Sequence, residues 1–125
     1  MKLEILRVED HGTLQSERIF LSVLKAANLE YYIVRDTTYI GDSAMSNKWV
    51  HAYQFQEQEV NAGDEIVLYT GTAPKKTERI NRDQNTRYYY SWNLKECVWN
   101  NDGDLAVLYE LEAWSSKKVK PAKSK

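Results

Sequence analysis

Short runs of alternating apolar and polar residues, separated by turn-forming residues, organise this chain. Leu3, Ile5 and Val8 begin a first strand, closed by the turn Glu9-Asp10-His11-Gly12-Thr13. Residues 16–29 read two ways. Ile19, Phe20, Val23, Leu24 and Ala27 fit a helix face with Ser16 as its cap, whereas Ile19, Leu21 and Val23 fit one side of a strand. The spacing alone tips towards helix. Tyr31-Tyr32-Ile33-Val34 has the β-branched and aromatic composition of a strand. Residues 36–48 read as loop, with a brief pairing of residues 37–40 before Gly41-Asp42-Ser43.

Trp49, His51, Tyr53 and Phe55 alternate with smaller or polar residues and predict another strand. Asn61-Ala62-Gly63-Asp64 is a turn, and Glu65 to Tyr69 a strand. Residues 71–87 are polar, contain Pro74 and almost no apolar anchor, and predict a long loop. Tyr88 to Trp92 follows as a strand. Val98 and Trp99, then Asn100-Asn101-Asp102-Gly103, then alternating Leu105, Val107 and Tyr109 predict a hairpin, because Gly accepts the positive φ of a tight turn. The sum is an all-β chain, an antiparallel β-sandwich of about seven to nine strands. Residues 1–115 form the domain and residues 116–125 a basic disordered tail.

Size agrees with one domain: 125 residues, 42% hydrophobic and 28% charged, are ordinary for a soluble globular chain. Nine Tyr and four Trp against two Phe favour amphipathic rings, suited to thin sheets and binding surfaces. The net charge of −1 is unevenly spread, since five Lys and no acid lie from Lys117 onward, leaving 12 of the 17 basic residues against all 18 acids in the body, a net of −6. An acidic body argues against a dedicated nucleic-acid binder. Cys97 is the single cysteine, so no intrachain disulfide or thiolate metal cluster forms. No apolar run is long enough to span a membrane, and the start Met1-Lys2-Leu3-Glu4 lacks a leader's apolar core. The expected compartment is cytoplasmic. A chain exported and then stripped of its leader reads the same way.

The motifs resemble a known family. Asn61-Ala62-Gly63-Asp64-Glu65-Ile66-Val67-Leu68-Tyr69-Thr70-Gly71, a polar insert, and then Val98-Trp99-Asn100-Asn101-Asp102-Gly103-Asp104-Leu105-Ala106-Val107-Leu108-Tyr109 are similar to the lamin tail domain. Glu17 to Leu24 and Asn28 to Asp36 resemble two of its earlier strands, with Tyr31-Tyr32 where the family has Gly-Trp and Ala62 where Pro is common. The resemblance spans roughly residues 3–114. It implies an immunoglobulin-like β-sandwich and turns residues 17–24 from helix to strand. Eukaryotic members end nuclear filament proteins and dock proteins and, less clearly, DNA; bacterial members are accessory modules beside nucleases, phosphatases and other exported enzymes. Within these 125 residues there is neither a coiled-coil rod nor a catalytic domain, so a docking module is the expectation.

Candidate chemistry is sparse. Asn100, Asp102 and Asp104 are spaced as Ca²⁺ ligands are, but the glycine is misplaced and no Glu closes the loop, so a turn with side chains bonding its own backbone is preferred. His11, His51 and Cys97 lack any surrounding catalytic signature, and no enzyme activity is expected. No cofactor is expected either. The best candidates are Lys75, Lys76, Arg79, Arg82 and Arg87 followed by Tyr88, Tyr89, Tyr90 and Trp92, with Tyr88 and Tyr90 the rings chosen for the site. Arg and Tyr are the residues of protein-docking hot spots. The alternative is contact with nucleic acid through this stretch and the Lys tail, since basic residues neutralise phosphates and rings stack on bases.

Overall fold

The computed structural model describes residues 1–40, 44–45, 51–99 and 104–119. Its strands are β1 (Leu3–Glu9), β2 (Arg18–Val23), β3 (Ala27–Asn28), β4 (Tyr32–Ile40), β5 (Ala44–Met45), β6 (Ala52–Gln54), β7 (Glu59–Val60), β8 (Glu65–Tyr69), β9 (Thr77–Ile80), β10 (Asn85–Ser91) and β11 (Asp104–Glu110). Seven of these have four residues or more; the other four are two- or three-residue pairings. One sheet runs in the order β1-β2-β8-β10-β9. The second pairs β11 along one edge of β4, with β5 and β6 also pairing β4, and β3 pairs β7 in a separate two-stranded ladder. The chain is an all-β sandwich.

The core lies between the two main sheets. Leu3, Ile19, Leu21, Val23, Ile66 and Leu68 meet Tyr32 and Val34, with Leu29, Phe55, Val60, Val98 and Trp99 filling in. Residues 18–23 form a strand, as the family resemblance implies. The helix-like spacing arises because both faces of β2 are buried: Ile19 and Leu21 point into the core at 0% exposure, while Phe20 on the other face is also buried. A central strand with two covered faces loses its alternation.

Three expectations need correction. Residues 71–87 are not all loop, because Thr77–Ile80 and Asn85–Ser91 form an antiparallel hairpin. Its turn holds Asn81, Arg82 and Asp83 at φ of 53°, 56° and 65°, a left-handed run that Asn and Asp tolerate. Polar residues form this outermost strand because only one of its edges pairs and little of its surface packs. Residues 36–40 likewise belong to β4, which β11 pairs from Tyr32 to Thr38. The third concerns residues 98–109. Val98 and Trp99 are not a strand paired to β11; their amides are taken by the Glu17 carboxylate instead. Residues 100–103, with the turn glycine, lie outside the described residues, as does Trp49.

One ladder departs from the antiparallel pattern. β10 runs parallel to β8, Arg87 opposite Glu65 and Tyr89 opposite Val67. The connection through residues 70–76 carries the chain past the position beside β8 to the sheet edge, and the β9–β10 turn brings it back. Among the described residues, no helix is long and apolar enough to cross a membrane.

Candidate docking surface

Alternation along β1, β2, β8 and β10 sends every second side chain to the outer face of the five-stranded sheet. Register aligns them in rows. Arg7, Phe20, Val67 and Tyr89 form one row, and Glu9, Arg18, Tyr69 and Ser91 the next. Ser22, Glu65, Arg87 and Glu78 form the third. Phe20 and Val67 are the apolar floor, 7% and 0% exposed although they face away from the core.

Long polar side chains cover that floor. The Arg7 guanidinium lies 4.0 Å from the Phe20 ring centroid, and Arg18 sits 5.4 Å from Phe20 and 5.7 Å from Tyr69. Tyr69 and Tyr89 have centroids 6.2 Å apart, and the Lys76 ammonium stands 5.7 Å above Tyr89. Each cation has an acidic partner. Arg7 pairs with Glu9; Arg18 pairs with Glu9 at 3.2 Å and Asp10 at 3.0 Å. Arg87 Nε donates to Glu65 at 2.9 Å, and Lys76 lies 3.6 Å from Glu78, which also accepts from the Tyr89 hydroxyl. Four cations (Arg7, Arg18, Lys76, Arg87) meet four carboxylates (Glu9, Asp10, Glu65, Glu78), so the face is rich in arginine and tyrosine yet close to neutral.

The residues singled out from the sequence are divided by this geometry. Lys76 and Arg87 belong to the outer face. Lys75, Arg79 and Arg82 are exposed at or near the β9–β10 hairpin; Arg79 donates to the Thr86 hydroxyl at 2.6 Å and to the Asp83 carbonyl, closing the turn. Tyr88 and Tyr90 face the other way and pack against the core, Tyr90 edge-on to Phe55 with centroids 5.3 Å apart. Burial, with Tyr53 and Tyr88 adding, pushes the Tyr90 hydroxyl's pKa well above its ordinary value. Trp92 also packs against the core, so Tyr89 is the one ring of the stretch on the outer face; Arg7, Arg18, Phe20 and Tyr69 were missed. The alternation within Tyr88-Tyr89-Tyr90 is the signal that separates Tyr89 from its neighbours.

The remaining candidates are placed as follows, beside a buried carboxylate that the sequence did not single out. The Glu17 carboxylate, fully buried, accepts four hydrogen bonds: from the Thr70 hydroxyl at 2.6 Å and from the amides of Val98 (2.8 Å), Gly12 (2.9 Å) and Trp99 (3.2 Å). The Cys97 thiol has its pKa raised by burial and by the Glu17 charge, the reverse of what an attacking thiol needs. His51 lies 3.2 Å from the Asp36 carboxylate through Nδ1, and its amide donates to the same group at 2.9 Å. His11 lines a hollow of about 230 Å³ with Trp99 and Asp104. No hydrogen bond among the described residues joins Cys97 to either histidine. Asp104 is the first residue of β11, while Asn100 and Asp102 lie outside the described residues. Among the described residues, no group of three or more His, Cys, Asp or Glu is placed to hold a metal ion.

No family model matches the chain, and no curated protein matches it.

Proposed function

We propose that this chain is a non-catalytic interaction domain of the lamin tail type, docking protein partners through the outer face of its five-stranded sheet. The observation that carries the reading is the layer of Arg7, Arg18, Arg87, Tyr69 and Tyr89 over Phe20 and Val67. Arginine and tyrosine over an apolar floor is the composition of protein-interface hot spots, where planar groups bury much area at small entropic cost. Balanced charge supports a polypeptide partner, because a polyphosphate backbone requires cations not already matched by carboxylates.

The test is affinity capture with the wild-type domain and with Tyr89→Ala and Arg18→Ala, followed by direct titration of each captured protein. The partner should bind the wild type and lose about tenfold or more with either variant, the scale of an interface hot spot. Unchanged affinity in both variants, with folding confirmed by circular dichroism, would remove the sheet face from consideration.

A second reading is a nucleic-acid-associated module. It rests on Lys75 and Arg82, exposed and without an ion pair among the described residues, and on the exposed Lys117 and Lys118. Anisotropy titration with labelled single- and double-stranded oligonucleotides at low and physiological salt tests it. Binding whose logarithm falls linearly with log salt, and which Lys75→Glu with Arg82→Glu abolishes, would support it. Absence of binding at low salt would end it.

A further inference from the structure

At one end of the sandwich the start of β1, the junction between β3 and β4 and the end of β11 enclose a cavity of about 240 Å³. Lys2, Tyr31, Tyr32, Glu110 and Glu112 are among the residues that line it. An adjoining hollow of about 240 Å³ shares Tyr31 and Glu112 and is completed by Trp114. Three aromatic rings, two carboxylates and one lysine therefore line these two neighbouring hollows.

Two of the rings are presented outward. Tyr31 is 37% exposed and Trp114 48% exposed, with centroids 4.9 Å apart and planes tilted by 58°. Neither is needed to fill the core, and a pair of large rings held together at the surface forms a wall with electron-rich faces. The Tyr31 carbonyl accepts the Leu111 amide at 2.7 Å, which holds the segment leading to Trp114 against the start of β4.

The carboxylates are fixed or free in a useful way. Glu110 Oε2 accepts from the Tyr32 hydroxyl and from the Lys2 amide at 3.2 Å. Those two hydrogen bonds lower its pKa, the Tyr32 bond first, and keep it charged. Its Oε1 has no partner among the described residues, and Glu112 makes no ion pair there. Lys117 and Lys118, three and four residues beyond Trp114, make no ion pair with either acid. Glu110 also feels the Lys2 charge, so the acid that no ion pair among the described residues engages is Glu112, and the cavity combines it with aromatic faces.

We propose that this end cavity binds the basic side chain of a partner polypeptide, arginine in preference to lysine. A guanidinium stacks on the exposed face of one ring of the Tyr31–Trp114 pair while its N–H fork reaches Glu110 Oε1 and Glu112, using both features at once. A compact, strongly hydrated ammonium uses the carboxylates but stacks poorly. Lys2 opposes a cationic ligand, so removing its charge strengthens binding. This site is separate from the outer sheet face and stands whether or not that face binds a partner.

The test is an NMR titration of the full chain with the capped tripeptide acetyl-Gly-Arg-Gly-amide, following the backbone amide signals of Tyr31 and Leu111, which every variant keeps, together with the Trp114 indole N–H signal wherever Trp114 is present. The same peptide with citrulline, the uncharged isostere of arginine, is the control. The arginine peptide should give a saturable shift with a Kd on the order of 1 mM, as a single side chain allows, and the citrulline peptide at least about fivefold weaker binding. Trp114→Ala and Glu112→Gln, both at exposed positions, should each weaken the arginine peptide by about fivefold or more, while Lys2→Met should tighten it. No shift with the arginine peptide, an equal shift with the citrulline peptide, or weaker binding in Lys2→Met would each overturn the proposal.

Discussion

The buried Glu17 carboxylate accepts the Val98 amide at 2.8 Å, tying together residues 81 positions apart. The same group takes the Trp99 amide, the Gly12 amide and the Thr70 hydroxyl. A segment with no ladder of its own thus has its amides satisfied by one side chain, and that is why Val98 and Trp99 enter the core without becoming a strand. Buried backbone donors need partners, and here a carboxylate supplies them.

Glu17→Ala should therefore be among the most damaging single changes in the molecule. It leaves four donors unsatisfied in a dry site and should cost about 3 kcal/mol or more. Glu17→Gln keeps one acceptor oxygen but turns an NH₂ group towards donors, and should cost about 2 kcal/mol. Urea denaturation of the two variants beside Glu17→Asp measures both; a loss below about 0.5 kcal/mol in Glu17→Ala would contradict the bonding described.

Gly63→Ala tests the turn before β8. Gly63 has φ of +94°, and a Cβ there would stand 2.6 Å from Asn85 Oδ1. Asn85 cannot yield freely, since its amide donates to the Ala62 carbonyl at 2.9 Å and to Asp64 at 3.0 Å. A destabilisation of about 2 kcal/mol is expected in thermal or urea melts. Gly12→Ala, with φ of +87° and open space around its Cβ, should cost less.

Alkaline stability should be limited by tyrosines. Burial, followed by the Glu110 carboxylate, raises the Tyr32 pKa, and burial raises those of Tyr53 and Tyr90. The folded chain then holds these protons when the unfolded chain has released them, so stability is level below the ordinary tyrosine pKa of about 10 and falls as pH rises beyond it. Tyr32→Phe combined with Tyr90→Phe should flatten that decline, as followed by urea midpoints between pH 8 and pH 11, about the ordinary pKa.

Cys97 should be a slow nucleophile. Its thiol is half-buried and its pKa is raised by burial and by Glu17, so little thiolate forms near neutral pH. Alkylation by iodoacetamide should run several-fold slower in the folded chain than in urea. Equal rates in both states would show the thiol to be unprotected.

The sequence speaks clearly where one strand face is buried and the other wet. Ile66 and Leu68 against Glu65 and Tyr69, after the turn at residues 61–64, mark β8 without help from the rest of the chain. It speaks ambiguously for β2, because Phe20 on the outer face is covered by Arg7 and Arg18, and only the sheet brings those arginines there. β9 was silent: Thr77, Glu78 and Arg79 carry no apolar pattern, and the strand exists because residues 81–84 turn the chain back. The candidate surface was half legible. Lys76 and Arg87 stand out by charge, but Arg7, Arg18 and Tyr69 join them only through pairings distant in sequence. The end cavity was less legible still, since Tyr31, Glu112 and Trp114 are far apart until β11 lies along β4.

The parallel ladder between β8 and β10 has a consequence for how the chain assembles. Antiparallel neighbours close by successive short turns, but β10 reaches β8 only after residues 70–84 have travelled outward and returned. The β9–β10 hairpin is local and forms as a unit, whereas its docking carries the larger loop-closure cost and comes late. Until then one edge of β8, with Ile66, Val67 and Leu68, stands open on a nascent sheet. In concentrated refolding, the hairpin of one molecule can fill that slot in another. Domain-exchanged dimers joined through residues 70–76 are thus the misassembly expected of this topology.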